Sequence, residues 1–165
     1  MGRAMSSHTV RLATPADARV LARLRYEFRT SVRSPAEDET SFLGRCTRWM
    51  EERLRPGSPW RCWVVEREGA IVGHLWLQRI EKIPNPVTER EYHGYITNVY
   101  VQPQARNAGA GAALMAAAMA WSEEHGIDSI ILWPTERSRT LYGRFGFAVR
   151  DDLMEAILHE GRLDA

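Results

Sequence analysis

A strand-like run, a turn with two spaced glycines and an alanine-rich run follow one another in VQPQARNAGAGAAL, residues 101–114. A strand that ends at Val101 and a helix that begins near Gly109 would leave backbone N–H groups unpaired at the positive end of the helix dipole. Gly109 would let an anion such as a diphosphate approach these amides, and Gly111 would allow the helix to pack closely. The same glycines also suit a plain strand-to-helix corner, so the spacing leaves both an anion site and a ligand-free corner open.

Two common phosphate-binding motifs do not fit this turn. A Walker A loop needs a lysine and a hydroxyl residue after its last glycine, whereas alanines follow Gly111. A dinucleotide fingerprint places Gly-x-Gly-x-x-Gly after the first strand, with an acidic residue about 20 positions further on, and the spacing here is different. The pattern therefore argues against an NTPase and against a Rossmann dinucleotide site.

The turn and a second motif resemble those of the GNAT superfamily of acyl-CoA-dependent N-acetyltransferases. RNAGAG, residues 106–111, is similar to the superfamily's Gln/Arg-x-x-Gly-x-Gly/Ala element, with Val101 and Pro103 in its usual lead-in. LYGRFGF, residues 141–147, is similar to the LY-x-x-x-GF signature and follows after one helix and one strand. Close resemblance covers about residues 94–147, and the first half of the chain agrees in its order of elements.

The resemblance implies that acetyl-CoA is the acyl donor, bound in a groove where a strand at 94–101 splays from a strand at 128–133. The pantetheine arm would pair with the backbone of Val99 and Val101 like an added strand. The pyrophosphate would lie on backbone amides of the turn, and the Arg106 side chain would add positive charge. The amides implied are those of Arg106, Asn107, Ala108, Gly109, Ala110 and Gly111.

Acyl transfer from a thioester to an amine needs an uncharged nucleophile, donors for the tetrahedral oxyanion and a proton for the departing thiolate. The resemblance implies that Tyr142 supplies this proton and that a backbone N–H near Val99 stabilises the oxyanion. Tyr142 beside Phe145 and Phe147 also fits simple aromatic packing. Thr135 stands where many members have an asparagine that contacts the cofactor, and it is also a candidate N-cap for the helix that carries Tyr142.

The general base is not evident from the sequence. Many members place a glutamate on the strand before the glycine turn, but residues 94–98 contain no carboxylate. Asn98 or Thr97 could hold a water that relays the proton, and His74 on the preceding strand or Glu27 in the first helix could receive it. A lone strand histidine equally fits a structural role, and an amine that arrives neutral needs no dedicated base.

The acceptor is expected to contact the N-terminal helices and the loop at 84–92. Acidic side chains there could attract a cationic amine, and they equally fit a solvated surface. The candidates are Trp49, Trp60, Glu37, Asp38, Glu39, Glu89 and Glu91.

Turn and capping signals place these residues on alternating strands and helices. Thr14, Pro15 and Asp17 form an N-cap signal, and Glu68-Gly69-Ala70 joins two apolar runs as a hairpin. The predicted fold is α/β, a GNAT-like mixed, mostly antiparallel sheet of six to seven strands with helices on both faces. Strands are expected at 8–14, 60–68, 71–83, 92–101, 128–133 and in two halves of 146–158, and helices at 14–28, 37–55, 108–125 and 136–145.

Composition bounds the class of protein. A chain of 165 residues with 44% hydrophobic content suits one domain, expected over 8–165 after a flexible N-terminus at 1–7. A net charge of +1 disfavours a nucleic-acid partner and an anionic membrane surface. No apolar run is long enough for a membrane span, and Cys46 and Cys62 fit no metal spacing, so we expect a cytoplasmic protein without a metal. Strand edges and the C-terminal DDLMEAIL are compatible with a homodimer.

Together these observations predict an N-acetyltransferase that moves the acetyl group of acetyl-CoA directly to a primary amine on a small molecule or peptide. The alternative is an acyl-CoA-binding sensor or interaction module that kept the groove without turnover, which the missing strand carboxylate favours. A third interpretation is an enzyme that acetylates aminoacyl-tRNA, which would need a basic face that the net charge does not indicate.

Overall fold

The computed structural model describes residues 7–159, which divide into two compact units at Trp133 and Pro134. The predicted flexible N-terminus, 1–7, lies outside the described residues except for Ser7. The single domain expected over 8–165 stays a prediction. Among the described residues the strands are β1 (Thr9–Leu12), β2 (Trp60–Arg67), β3 (Ala70–Glu81), β4 (Tyr92–Val101) and β5 (Ile127–Ile131). The α-helices are α1 (Ala18–Thr30), α2 (Glu39–Arg53), α3 (Ala110–Glu124) and α4 (Arg139–Gly143).

The strands form one mixed sheet, in the order in which they occur along the chain, within the first unit. The three pairs from β1 to β4 are antiparallel, whereas β4 and β5 are parallel because α3 carries the chain back between them. This confirms the α/β class and the mostly antiparallel sheet. The prediction of six to seven strands is wrong, since residues 7–159 contain five.

The missing strands were expected in GFAVRDDLMEAIL, residues 146–158. This segment contains no strand, and Val149, Met154 and Leu158 within it are largely exposed. An alternating apolar pattern becomes a strand only when a neighbouring edge supplies hydrogen-bond partners. The sequence contains the pattern but cannot specify such a partner.

The hairpin between β2 and β3 forms as predicted. Its two loop residues, Glu68 and Gly69, have φ angles of 53° and 78°. Two successive positive φ angles match the right-handed twist of the flanking strands. The short loop places Arg67 opposite Ala70 and so sets the register of the strand pair.

Helices cover both faces of the sheet, as predicted. Cys62 and Val64 of β2 are buried in a cluster that includes Leu21 of α1. Trp63 lies between them and points to the opposite face, because side chains alternate along a strand. Its ring centroid is 5.8 Å from that of Trp121 on α3. The first two helices therefore lie on one side of the sheet and α3 on the other.

The start of the first helix follows the predicted capping signal. The Asp17 carboxylate accepts a hydrogen bond from the backbone N–H of Thr14 at 2.8 Å, and a 3₁₀ turn at Pro15–Asp17 leads into α1. Arg11 of β1 pairs with Asp17 at 2.9 Å and with Glu66 of β2 at 2.8 Å. Its hydrogen bond to Asp17 lowers the pKa of that carboxyl, so the pair ties the first strand to the helix start.

The second helix is shorter than predicted at both ends. Asp38, not an earlier residue, is its N-cap, because its carboxylate accepts from the backbone N–H of Ser41 at 2.9 Å. The helix ends at Arg53, ahead of Pro56.

We expect Gly73→Ala in β3 to lower the free energy of unfolding by about 1–3 kcal/mol, because the sheet backbone must move. A Cβ at this position would lie 2.7 Å from the carbonyl oxygen of Tyr100 and 3.1 Å from Cγ1 of Val65. Gly44→Ala in α2 is the control, since its Cβ would meet only the flexible Arg48 Nη1 at 3.8 Å. The control should gain about 0.5–1 kcal/mol from helix propensity. Urea unfolding measures both changes, and a Gly73→Ala protein as stable as the parent would contradict the prediction.

Candidate functional site

Strand β4 has a long free edge. It pairs with β3 along most of its length but with β5 only from Tyr92 to Tyr95. Beyond Tyr95 no strand of the described chain pairs on the β5 side, which is the predicted splay. The backbone N–H of Gln102 donates to the carbonyl oxygen of Val72 on the β3 side at 2.8 Å. Backbone N–H and C=O groups of successive residues point to opposite edges of a strand, so those of Val101 point to the free edge.

A β-bulge interrupts β4 at Asn98 and Val99. The register with β3 shifts here, so that Leu75 faces both residues. Asn98 has a φ of 54°, in the left-handed region that asparagine tolerates better than most residues. A bulge leaves one residue outside the ladder, so a backbone N–H near Val99 can serve a ligand. The predicted oxyanion donor falls on this bulge, and its role stays a prediction.

The glycine turn ends at the N-terminus of α3. Gly109 is the N-cap with a φ of 83°, and a Cβ there would meet nothing within 4 Å, so conformation rather than crowding requires glycine. The backbone N–H of Ala113 donates to the Gly109 carbonyl at 2.9 Å. The N–H groups of Ala110, Gly111 and Ala112 precede this first helical bond and have no acceptor within the helix.

The electrostatics of this turn favour an anion. The first turn of α3 contains no acidic residue, so the positive end of the helix dipole is not offset there. Asn107 also has a positive φ, 60°, and Asn107, Ala108 and Gly109 are all exposed. Successive amides in such turns form concave anion-binding surfaces. These features suit an anion, and the binding of a diphosphate at this turn stays a prediction.

The Arg106 side chain folds back onto the end of β4. Its Nε donates to the carbonyl oxygen of Val101 at 2.8 Å, and its guanidinium lies 5.7 Å from the ring centroid of Tyr100. The terminal guanidinium nitrogens carry further N–H donors that an anion can use. A pantetheine contact to the Val101 carbonyl would share that oxygen with Arg106.

Helix α1 lies across the bulge. Arg25 Nη1 donates to Asn98 Oδ1 at 3.0 Å, and the Phe28 ring stacks on Tyr100 with centroids 5.2 Å apart. Burial and the neighbouring Arg29 charge lower the pKa of Arg25. Because Asn98 uses its oxygen for Arg25, its side-chain NH₂ is the group that can donate to a water or a ligand.

The two sequence candidates for a proton acceptor lie in different environments. His74 is fully buried, and this burial, followed by the charge of Arg25, lowers its pKa to about 3 against a smaller opposing effect of the Asn98 backbone. A neutral ring without solvent access is a packing residue rather than a base. Glu27 Oε2 accepts from Gln102 Nε2 at 3.1 Å, which places its carboxylate beside the end of β4.

The second unit holds the other two predicted residues. Tyr142 of α4 is 8% exposed, and burial raises its pKa, so its hydroxyl keeps its proton at neutral pH. Its ring centroid lies 5.9 Å from that of Phe147. Thr135 caps a 3₁₀ turn at Glu136–Ser138 that precedes α4, so it is not the N-cap of α4 itself. A cofactor contact of Thr135 stays a prediction.

Most of the residues predicted to contact the acceptor already interact with other residues of this chain. The Trp49 and Trp60 rings pack against each other with centroids 5.3 Å apart, and Trp60 also packs against the buried core. The backbone carbonyl of Glu91 accepts from the N–H of Lys82. The acidic side chains pair as follows: Glu37 with Arg45, Glu39 with Arg23, Asp38 with Ser41, and Glu89 with Lys82 and Asn85.

Residues 7–159 contain neither a metal-binding cluster nor a membrane-spanning helix. No group of three or more His, Cys, Asp or Glu side chains there is arranged to hold a metal ion. Over the same range no helix has the length and apolar content to cross a membrane.

Comparisons with known proteins agree with one another. The model of the acetyltransferase (GNAT) family matches residues 21–147. Aminoglycoside N(6')-acetyltransferase type 1 of Stenotrophomonas maltophilia is 31% identical over 121 residues, which are 73% of this chain and 71% of that protein.

Solved structures share the fold over nearly the whole chain. A GCN5-related N-acetyltransferase from Ralstonia eutropha JMP134 superposes with a TM-score of 0.72 at 29% identity, covering 92% of this chain and 99% of that one. A predicted acetyltransferase from Clostridium acetobutylicum, solved with acetyl-CoA, has a TM-score of 0.77 at 23% identity, covering 93% and 99%. The second likeness concerns the fold alone.

We expect Gly109→Ala to weaken acetyl-CoA binding by about tenfold. A Cβ destabilises the left-handed N-cap by about 1–2 kcal/mol and would reorient the backbone amides of residues 106–111, which are predicted to bind the diphosphate. Gly57→Ala is the matched control, since Gly57 has the same φ of 83° with nothing within 4 Å of its Cβ, outside the turn. Isothermal titration should find reduced affinity in the first variant alone, with similar losses of stability in both. Unchanged affinity for acetyl-CoA in Gly109→Ala would mean that the turn only connects strand and helix and binds no ligand.

The buried His74 should make the protein less stable as the pH falls from about 6.5 towards 3. The unfolded chain binds a proton near the ordinary histidine pKa, whereas the folded state does so only near pH 3. At pH 5 this difference amounts to about 2 kcal/mol. Urea unfolding between pH 7 and 5 should find that the free energy of unfolding falls less steeply with decreasing pH in His74→Leu than in the parent. Identical pH dependence in the two proteins would refute the assignment.

Proposed function

The chain belongs to the GNAT family of acetyltransferases and uses acetyl-CoA to acetylate an amine, and we propose that the acetyl group passes directly to the acceptor within a ternary complex. One observation carries this proposal: the free edge of β4 extends from the bulge at Asn98 to Val101, and a short 3₁₀ turn then connects it to the turn at Gly109. An open strand edge followed by an anion-binding turn suits a ligand that has both an extended arm with amide groups and a diphosphate.

The cofactor contacts follow from that alignment. The pantetheine arm adds to the free edge through the backbone of Val99 and Val101, as peptides add to open strand edges. The diphosphate lies on the amides from Arg106 to Gly111, where the helix dipole and the Arg106 guanidinium oppose its charge. Thr135 is a further candidate contact to the cofactor.

The chemistry needs three groups besides the thioester. The neutral amine attacks the thioester carbonyl and forms the C–N bond, and the backbone N–H near Val99 stabilises the oxyanion of the tetrahedral intermediate. The C–S bond then breaks, and Tyr142 gives its proton to the departing thiolate. The LYGRFGF motif and the raised pKa of Tyr142 support this role, because a general acid must hold its proton until the leaving group departs.

The amine loses its proton without a carboxylate on β4. The Asn98 side-chain NH₂ is available to hold a water, since its oxygen accepts from Arg25. That water takes the proton from the attacking nitrogen and passes it towards solvent or towards Glu27 at the end of β4. His74 takes no part because it is buried with a pKa of about 3.

Two further properties belong to the proposal. Leu153, Met154 and Leu158 in the DDLMEAIL segment are exposed, which supports self-association as a homodimer. Cys46 and Cys62 are both free thiols, which supports a reducing compartment such as the cytoplasm.

Tyr142→Phe should lower kcat by about 10²–10⁴-fold with acetyl-CoA binding unchanged, because the thiolate then leaves without its proton donor. Thiol release over a panel of amines measures kcat, and isothermal titration measures cofactor binding. Tyr92→Phe, which removes a hydroxyl at the other end of β4, is the control and should keep parental turnover. Full turnover in Tyr142→Phe would remove this residue from the mechanism, and binding without thiol release in the parent would favour a sensor.

A further inference from the structure

Arg25 of α1 is a half-buried cation beside the bulge of β4. Its Nη1 donates to Asn98 Oδ1 at 3.0 Å, and within residues 7–159 no carboxylate forms an ion pair with it. Burial, followed by the charge of Arg29, lowers its pKa, so its surroundings oppose the charge. An arginine whose burial is not offset by an opposite charge is costly to keep, and groups of this kind are concentrated at functional sites.

Two side chains of α1, one helical turn apart, contact β4. The Phe28 ring stacks on Tyr100 with centroids 5.2 Å apart and holds the helix against the strand. Arg25 lies one turn earlier on the same side of the helix and reaches Asn98 in the bulge. Because the stacking fixes the helix on the strand, Arg25 holds Asn98 from a rigid element.

The backbone of Asn98 needs support from its side chain. Its φ of 54° is in the left-handed region, which is unfavourable for residues other than glycine even though asparagine tolerates it better than most. The hydrogen bond from Arg25 fixes Oδ1 of Asn98 and so favours the backbone conformation that keeps this oxygen within reach. Without this bond, Asn98 is free to return to an ordinary strand conformation.

The direction of the Val99 N–H depends on the conformation of Asn98. This N–H belongs to the planar peptide that joins the two residues, so a change in the Asn98 backbone turns it as a unit. Leu75 of β3 faces both residues, so the regular ladder is interrupted here. The Arg25 contact therefore has more influence on this peptide than a side-chain contact has in a regular strand.

We propose that Arg25 is a positioning residue for acetyl transfer. Its hydrogen bond to Asn98 holds the bulge in the conformation that directs the Val99 N–H at the thioester carbonyl oxygen, where the oxyanion forms. Arg25 acts through Asn98 and does not itself contact the reacting atoms. The link to acetyl transfer rests on the proposed function, whereas the effect of Arg25 on the direction of the N–H rests on the contact alone.

The direction of the N–H is measurable without turnover. Arg25→Met removes every donor and keeps a long side chain that favours a helix. With coenzyme A bound, the residual dipolar coupling of the Val99 N–H, referred to the other amides of the sheet, should change in this variant. Arg29→Met should keep the parental coupling, because Arg29 is a half-buried arginine of the same helix whose guanidinium lies over the Phe28 ring, 5.9 Å from its centroid. A parental coupling in Arg25→Met overturns the inference, and Arg25→Gln replaces this variant if circular dichroism shows that it does not fold.

Glycine at position 98 separates positioning from other roles of Arg25. Glycine adopts the left-handed conformation without the penalty of a Cβ, so Asn98→Gly keeps the bulge but offers Arg25 no side chain to hold. Arg25→Met should lower the kcat of the parent by about 10–100-fold with acetyl-CoA affinity unchanged, because a displaced oxyanion donor loses part of its contribution. In the Asn98→Gly protein the same change should lower kcat by less than about twofold. Equal losses in the two backgrounds overturn the inference, and the comparison is a ratio because Asn98→Gly alone also removes the proposed water contact.

The pH dependence of turnover distinguishes positioning from a direct effect of the Arg25 charge on the amine. Thiol release is measured with phenylalaninamide and with kanamycin at pH 7.5 and at about pH 9.5, where the α-amino group of phenylalaninamide is neutral without help. A loss of kcat in Arg25→Met that persists at the higher pH supports positioning, and a loss that disappears there overturns it. Absence of thiol release with both amines in the parent counts against the proposed function, and the dipolar couplings then still decide whether Arg25 directs the N–H.

Discussion

One edge of β4 pairs with β3 along most of its length, whereas the other pairs with β5 over only a short stretch. The rest of the site depends on this difference. The strand is ten residues long, yet its ladder with β5 ends at Tyr95. Backbone N–H and C=O groups that lose water without gaining a partner are costly, so an open edge beside a bulge suits a ligand that brings its own amides. The chain leaves this edge through Arg106 and Gly109, and the unpaired amides of α3 extend the same row of donors.

Local features of the fold could be predicted because their causes lie within a few residues. The hairpin at Glu68 and Gly69, the cap at Thr14 and the left-handed Gly109 each depend on near neighbours in the sequence. The RNAGAG and LYGRFGF motifs also predicted the correct order of strand, turn and helix around residues 106–111. Helix ends shifted by a few residues where a cap such as Asp38 competed with the apolar pattern.

Features that depend on distant residues could not be predicted in the same way. The bulge at Asn98 arises from pairing across the sheet, and the Arg25 contact that fixes its side chain spans 73 positions of sequence. The acidic residues around α2 suggested attraction of a cation, but Arg45 and Arg23 neutralise two of them. The prediction of C-terminal strands was wrong for a related reason, since residues 146–158 carry the alternating pattern but form no strand, and pairing with another strand is not encoded locally.

The missing carboxylate on β4 is consistent with the charges that surround the bulge. An ammonium brought beside Asn98 would approach the guanidinium of Arg25, and like charges disfavour the protonated form of an amine. The buried, neutral His74 beneath adds no opposing charge. If the acceptor is attacked at the bulge, as we propose, its amine would lose its proton more readily than in water, and a strong base at that point would not be needed.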